Sequence, residues 1–436
     1  MFHLKKNSLV YGTLLLSFSG LFCRGIGFFY RLFISQAFGE EAMGIFQLTS
    51  PVLMLAFSLT CAGTQTAISR YTASCLGLKN EALAKKFLFV GCFLSFSLAL
   101  LYSIIIYGQA ENISIHFLQE KRCAPLLRIC ALSFPFSALH SCFNGYFYGK
   151  KDTKIPSFTQ ITEQLIRVGS VFLLYHLCLM QKKTPTITLT CVGMVLGEAT
   201  SFLISFLYYL ITNKKTPKEP GFIRITGQLL TLSIPLTFNR VIVNLLQSYE
   251  AISIPIGLKE FGYSDKTALS LYGVLTGMAL SLVFFPSTFV NSASVLLLPA
   301  VSEASSQDNI SRIRTTIRQS VFFSLGLGFA CTCLFYIFGN LCGTLLFDSS
   351  LAGTFIRQLS FLCPFLYLHG TLSSILNGLK KIKTTLFINI FSLLVRLFFI
   401  LYFIPQYGIK GYLWGLLLSE ILSALCCLLV LWKKYF

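Results

Sequence analysis

Long apolar stretches, separated by short polar segments, run through the whole chain. An α-helix needs about 20 apolar residues to cross the hydrocarbon core of a bilayer. Stretches of at least this length lie near residues 8–36, 43–74, 83–108, 123–148, 155–180, 186–211, 226–256, 267–301, 315–346, 353–378, 382–404 and 409–432. The pattern predicts an all-α polytopic membrane protein with about twelve transmembrane helices.

Composition and charge support this class. Hydrophobic residues make up 55% of the chain and charged residues only 12%. The formal net charge of +19 would also suit nucleic-acid binding. With the amino terminus in the cytoplasm, however, the inside loops and ends hold 21 lysines and arginines and the outside loops nine. This excess predicts a multi-pass protein of the cytoplasmic membrane with both termini in the cytoplasm and no nucleic-acid partner.

The fifteen cysteines do not suggest a disulfide framework or a metal site. None are spaced as Cys-x-x-Cys, and most lie within apolar stretches without a cluster of histidines nearby. We expect them to be packing residues, and we expect no metal and no cofactor.

The chain contains an internal repeat. Residues 135–167 align with 364–396 without a gap, with eleven of 33 positions identical, and "PFSALH" lies on "PFLYLH". At a second offset "LSFSGLFCRGI" (16–26) lies on "LSIPLTFNRVI" (232–242). Shared apolar composition would give only a few identities, so the repeat indicates a duplication.

The duplication predicts two pseudo-symmetric six-helix lobes around a central cavity. The amino-terminal lobe would span residues 1–212 and the carboxyl-terminal lobe 225–436. The polar, proline-containing segment 213–224 between them is expected to be a cytoplasmic linker.

Arginines inside the first and seventh stretches are candidate substrate ligands. Seven residues make 20° less than two helical turns, so Arg24 and Arg31 lie on one stripe, and Arg240, Asn244 and Gln247 form a similar stripe. A guanidinium inside a membrane helix is costly and needs an anionic partner. The first stretch contains no acidic residue, so we expect these five side chains to bind an anionic substrate.

Other charged residues inside the stretches have two interpretations. Glu163 and Arg167 are one turn apart on one predicted helix and are expected to form a structural pair. Glu198, Glu250 and Glu420 could line the cavity and couple transport to H⁺ or Na⁺, or they could be structural.

Several segments resemble a known family. "YGTLLLSFSGLFCRGIGFFYRLFISQAFGEEAMGIFQL" (11–48), "NGYFYGKKDTKIPSFTQITEQLIRV" (144–168) and "PAVSEA" (299–304) are similar to the stage V sporulation protein B and polysaccharide-exporter branch of the multidrug/oligosaccharidyl-lipid/polysaccharide (MOP) flippase superfamily. The resemblance implies a MATE-like fold of two lobes, alternating access, and lipid-linked oligosaccharides as substrates. "RGIGFFYR" is similar to the arginine pattern of the lipid II flippases, with one inserted residue.

These observations favour a transporter over an enzyme. The expected function is to flip a polyprenyl-pyrophosphate-linked oligosaccharide or cell-wall precursor, which the resemblance associates with peptidoglycan and spore cortex synthesis. Arg24, Arg31 and Arg240 would hold the pyrophosphate, and we expect a monomer among membrane lipids. The alternative within the superfamily is a cation-coupled multidrug efflux antiporter. A scaffold for wall assembly stays open, whereas a glycosyltransferase would need a soluble domain or an Asp-x-Asp pair, which the sequence lacks.

Overall fold

The described part of the chain is helical, as predicted. The computed structural model describes residues 8–212, 222–288, 290, 301, 310–379 and 381–435. Its helices of five or more residues, apart from short π-helical and 3₁₀ turns, are α1 (Ser8–Phe57), α2 (Gly63–Gly77), α3 (Glu81–Gly108), α4 (Ala124–Ala131), α5 (Phe134–Gly149), α6 (Lys154–Met180), α7 (Thr188–Thr212), α8 (Phe222–Glu260), α9 (Asp265–Gly273), α10 (Leu280–Phe284), α11 (Ile310–Phe347), α12 (Ser350–Leu359), α13 (Cys363–Gly378), α14 (Ile382–Tyr407) and α15 (Ile409–Tyr435). The predicted all-α membrane class is therefore confirmed.

Ten helices of the described residues are long and apolar enough to cross a membrane, or eleven if one bent pair counts as a single span. The first of them, Leu14–Gly77, has 64 residues. At 1.5 Å per residue it would be about 96 Å long, roughly three times the hydrocarbon thickness. Gly39 breaks it, with φ 81° and ψ 176°, a conformation open only to glycine. The two helices that meet at Gly39 correspond to the first two predicted spans.

Proline positions explain two further interruptions. The helices Lys121–Ala131 and Phe134–Gly149 meet at an angle of 48°, and Pro135 lies in the first turn of α5. In the carboxyl half a 3₁₀ turn precedes α13, whose first turn holds Pro364. A proline has no N–H to donate to the preceding turn, so the helix starts again there. Both copies of the repeat therefore have a helix break just before the aligned proline.

Contacts divide the chain into two compact units. The first comprises Met1–Gly27 and Leu48–Tyr249, and the second comprises Phe28–Gln47 and Glu250–Phe436. The chain thus changes unit within α1 and within α8. Most of the predicted linker, residues 213–221, lies outside the described residues. The lobe boundaries inferred from the repeat remain a prediction.

Small residues bring helices close together in each unit. A Cβ at Gly197 of α7 would lie 3.0 Å from the Glu163 carbonyl oxygen of α6, and one at Gly193 would lie 2.7 Å from the Arg167 carbonyl oxygen. In the second unit a Cβ at Gly415 of α15 would lie 2.4 Å from the Phe399 Cβ of α14. Glycines four residues apart allow such close approach between membrane helices. These contacts align the charged side chains described next.

Candidate functional site

The three arginines predicted to bind substrate are exposed. Arg24 and Arg240 belong to the first unit, and Arg31 to the second. Within the described part of the chain none of them forms a hydrogen bond or an ion pair. Their guanidinium groups are therefore available to an anion, although the five predicted ligands are not gathered in one described pocket.

Asn244 and Gln247 differ in their surroundings. The Asn244 amide donates to the Met54 carbonyl oxygen at 3.2 Å and to the Ser58 hydroxyl, at the π-helical turn that follows α1. Asn244 also lines a cavity of about 270 Å³ in the first unit, together with Glu198. Gln247 is exposed. The structure thus brings one predicted substrate residue beside one predicted ion-coupling residue.

Glu198 belongs to a partly buried group of charges, which we call the amino-half cluster: His140, Glu163, Arg167 and Glu198. Arg167 forms an ion pair with Glu163 one turn before it on α6. His140 Nδ1 lies 3.6 Å from the Glu198 carboxylate. The Asn144 amide nitrogen lies 3.0 Å from His140 Nε2, on the side of the ring opposite Glu198. The predicted Glu163–Arg167 contact is present, while its structural role stays a prediction.

The amino-half cluster has the donor types of a metal site but also its own cation. Ligand-type atoms of His140, Glu163 and Glu198 all lie within 4.8 Å of one another. The Arg167 guanidinium already pairs with one of these carboxylates. A metal ion would have to share Glu163 with this positive charge, which disfavours it. The donor set fits a proton better than a metal ion.

The second unit holds a matching group, the carboxyl-half cluster: Glu250, His369, Arg396 and Glu420. His369 Nδ1 lies 2.9 Å from the Glu420 carboxylate. Arg396 lies 3.4 Å from the Glu250 carboxylate, which also accepts a hydrogen bond of 3.2 Å from the Tyr412 hydroxyl. Arg396 therefore has a carboxylate partner although Ser392 replaces the acid one turn before it. The partner comes from α8.

Sequence reasoning did not single out the two histidines. Both end the aligned segments "PFSALH" and "PFLYLH", so His140 and His369 occupy one repeat position. A polar residue retained in two otherwise apolar segments was the available signal. Their glutamate partners, Glu198 and Glu420, were identified, but only the folded structure joins each pair.

The fifteen cysteines are all free thiols, and nine are buried. The structure has no disulfide among the described residues, and the packing role of the cysteines stays a prediction.

Comparison with known proteins gives the family. The polysaccharide biosynthesis protein family model matches residues 9–304, and the MatE family model matches residues 241–401. The chain is 28% identical over 417 residues to stage V sporulation protein B of Bacillus subtilis, covering 93% of this chain and 80% of the relative.

Solved structures show the same fold. An inward-facing multidrug resistance MATE family transporter of the MOP superfamily superposes with a TM-score of 0.77 at 13% identity, covering 94% of both chains. A MOP superfamily transporter from Pyrococcus furiosus, described as having a binding pocket of reverse polarity, gives 0.67 at 14% identity, covering 97% of this chain and 95% of the other. The chain has the two-lobe MATE fold, and it belongs to the polysaccharide biosynthesis protein family.

Proposed function

We propose that this chain flips a polyprenyl-pyrophosphate-linked saccharide across the cytoplasmic membrane, for cell-wall or spore cortex synthesis. The family and the similarity to stage V sporulation protein B support a lipid-linked precursor as the substrate class. The polyprenyl tail would stay in the lipid while the saccharide crosses through the protein. Moving about two negative charges outward along an inside-negative potential of 100 mV would contribute roughly 4–5 kcal/mol.

The contrast among five intramembrane arginines carries this proposal. Arg167 and Arg396 are paired with glutamates. Arg24, Arg31 and Arg240 are exposed and have no ionic partner among the described residues. An unpaired guanidinium in a membrane span is costly unless a ligand balances it, and its planar donor fork suits a pyrophosphate. These three arginines are the proposed pyrophosphate ligands, with Asn244 and Gln247 as polar neighbours.

Flipping in reconstituted vesicles tests the arginine site. A polyprenyl-pyrophosphate that carries a labelled saccharide is the probe, and the same saccharide on a neutral polyprenyl ether is the control lipid. Arg24→Ala, Arg31→Ala and Arg240→Ala should each slow flipping at least tenfold, with partial rescue by lysine, while Arg128→Ala should have no effect because Arg128 pairs with Glu111 at the surface. Full activity of all three alanine variants would remove the arginine site from the proposal.

We also propose that the coupling ion is a proton. With its arginine charged, both glutamates ionised and its histidine neutral, each cluster carries one net negative charge. One bound proton makes it neutral, which a low-dielectric surrounding favours. Glu198→Gln and Glu420→Gln should therefore abolish acceleration by an imposed pH gradient, whereas Glu111→Gln should leave it intact. Transport that follows a Na⁺ gradient instead would contradict the proton.

A multidrug efflux antiporter is the second candidate. The MatE family match over residues 241–401 favours it. Efflux of organic-cation dyes from vesicles separates the two functions. Dye efflux that is unchanged in Arg24→Ala and lost in Glu198→Gln would favour the antiporter over the flippase.

A further inference from the structure

The cavity of about 270 Å³ in the first unit is built by several parts of the chain. The end of α1 and the π-helical turn that follows it form one side. α7 contributes Glu198, α8 contributes Asn244, and the break between α4 and α5 completes the wall. Small-molecule sites are typically clefts of this kind, with a mainly apolar wall and a few polar groups.

The π-helical turn Ser58–Ala62 positions Asn244 in this wall. Such turns are rare and are frequent at functional sites. The Asn244 amide nitrogen donates to the Met54 carbonyl oxygen at 3.2 Å, and this contact identifies the nitrogen because a carbonyl oxygen can only accept. The Asn244 side-chain oxygen accepts no hydrogen bond among the described residues, so it is available to a ligand.

Two more polar groups of the wall have unused hydrogen-bonding capacity. The Ser137 hydroxyl forms no hydrogen bond within the described part of the chain. His140 Nδ1 lies 3.6 Å from the Glu198 carboxylate, too far for a normal hydrogen bond. With the Asn244 oxygen, the cavity therefore offers an amide acceptor, a carboxylate acceptor and a hydroxyl. A ligand that satisfies these groups must itself carry several hydrogen-bond donors.

The rest of the wall favours a ligand that also has an apolar face. Phe57, which is exposed, and the buried Phe134 line the cavity together with Leu53 and Met194. A saccharide ring has hydroxyl donors around its edge and C–H groups on its faces, so it complements both parts of the wall. An acyl chain would leave the polar groups unpaired, which is costly. An organic cation would pair with Glu198 and leave the amide and the hydroxyl unused.

Arg240 relates this cavity to the proposed pyrophosphate site. It lies one turn before Asn244 on α8, so the two side chains are neighbours on the helix surface. Arg240 is exposed, and none of the described residues forms an ion pair with it. In a polyprenyl-pyrophosphate-linked saccharide the first sugar is bonded directly to the pyrophosphate. A pyrophosphate at Arg240 would therefore place that sugar next to Asn244.

We propose that the first sugar of the lipid-linked saccharide binds in this cavity, an inference that rests on the proposed function. Its ring lies against Phe57, and its hydroxyls donate to the Asn244 side-chain oxygen and the Glu198 carboxylate. The Ser137 hydroxyl binds a further sugar oxygen or hydroxyl. The arginines thus recognise the pyrophosphate, and the cavity selects the sugar.

Native mass spectrometry of the full chain in detergent tests the cavity with matched lipids. The probes are polyprenyl pyrophosphate that carries one N-acetylglucosamine or one glucose, and the same lipid without a sugar. The unaltered chain should bind at least one sugar-bearing lipid more tightly than the sugar-free lipid. Asn244→Ala and Ser137→Ala should each weaken binding of that lipid about fivefold, the usual worth of one hydrogen bond, and leave the sugar-free lipid unchanged.

Ser58→Ala is the matched control for Asn244→Ala. It removes a hydrogen-bond partner of Asn244 but does not line the cavity, so the preference for the sugar should persist. A loss as large as in Asn244→Ala would mean that Asn244 holds α1 in place, and it would overturn its role in sugar binding. Ser137→Ala tests the cavity even if Asn244→Ala fails to fold, because the Ser137 hydroxyl has no partner among the described residues.

Two further results separate the sugar site from the pyrophosphate site. Arg240→Ala should weaken the sugar-bearing and sugar-free lipids by the same factor. Equal binding of both lipids by the unaltered chain would overturn the sugar site and leave the pyrophosphate site intact, whereas binding of neither lipid would contradict the proposed function itself. Displacement of the sugar-bearing lipid by tetraphenylphosphonium, abolished in Glu198→Gln, would assign the cavity to an organic cation instead.

Discussion

The amino-half and carboxyl-half clusters hold the same four side chains, one histidine, one arginine and two glutamates, but connect them differently. In the amino half the arginine pairs with Glu163 on its own helix. In the carboxyl half Ser392 occupies that position, and Glu250 reaches Arg396 from α8. The two clusters therefore have the same net charge, although the glutamates that pair with their arginines occupy different positions of the repeat. A partly buried arginine in a membrane helix needs a carboxylate, and its own helix or a neighbouring one can supply it.

The histidines differ as well. His140 Nε2 lies 3.0 Å from the Asn144 amide and 3.3 Å from the Thr159 hydroxyl. The repeat places Ser373 and Ile388 at the two corresponding positions, and His369 Nε2 is buried without a partner in the described part of the chain. Both ring nitrogens of His140 thus have polar neighbours, whereas only Nδ1 of His369 has one.

The largest expected effect comes from removing either clustered arginine. Arg396→Ala leaves two buried glutamates without a cation, which should lower the free energy of unfolding by about 3–5 kcal/mol, and Arg167→Ala, which leaves two partly buried glutamates, should act in the same direction. Arg24→Ala should cost far less, since Arg24 has no partner within the described residues. Melting temperatures of the purified variants in detergent measure the difference, with Arg167→Lys and Arg396→Lys as conservative controls. If the Arg167→Ala and Arg24→Ala variants had the same melting temperature, the amino-half cluster would not stabilise the fold.

The second prediction concerns two substitutions that together give the carboxyl-half cluster the ion pair of the amino-half cluster. Glu250→Gln removes the charged partner of Arg396 and should cost about 1.5–3 kcal/mol, as for a lost charged hydrogen bond. Adding Ser392→Glu places a carboxylate one turn before Arg396, as in the amino half, and should recover most of the loss. Thermal unfolding of the single and double variants is the measurement.

Ser392→Gln in the Glu250→Gln background is the matched control, because it has the size of glutamate without its charge. Rescue by Gln as well as by Glu would mean that volume, and not charge balance, distinguishes the two halves. Absence of rescue by Glu would mean that the position of the carboxylate matters.

The sequence predicts more of the fold than of the two charged clusters. Apolar length alone predicts membrane helices, because a bilayer leaves the backbone few other structures. The same pattern ends the first predicted span near residue 36 and begins the second near residue 43, and the structure has the non-helical Gly39 between them.

The candidate site was predictable only where its contacts are local. Glu163 and Arg167 are four residues apart on one helix, so their contact follows from helical geometry. Glu250 and Arg396 lie on helices far apart in the sequence, and their pairing depends on how α8 and α14 pack. For Arg24, Arg31 and Arg240 the sequence predicted a substrate-binding role, and that role stays a prediction.

The smallest effect should come from the free nitrogen of His369. Ser373→Asn places an amide one turn after His369, where Asn144 stands relative to His140, and should add about 1 kcal/mol by satisfying a buried nitrogen. Asn144→Ser should cost a similar amount in the amino half. Chemical unfolding in mild detergent can resolve these opposite signs, with Ser374→Asn, beside the site on the same helix, as the control. If Ser373→Asn destabilised the protein, the carboxyl half would lack room for the amide, and the two histidines would differ in packing as well as in hydrogen bonding. If both substitutions behaved as expected, the second unit would contain one buried polar nitrogen whose counterpart in the first unit is hydrogen-bonded. The His369–Glu420 pair would then be the easier of the two to rearrange in the proton binding that we propose.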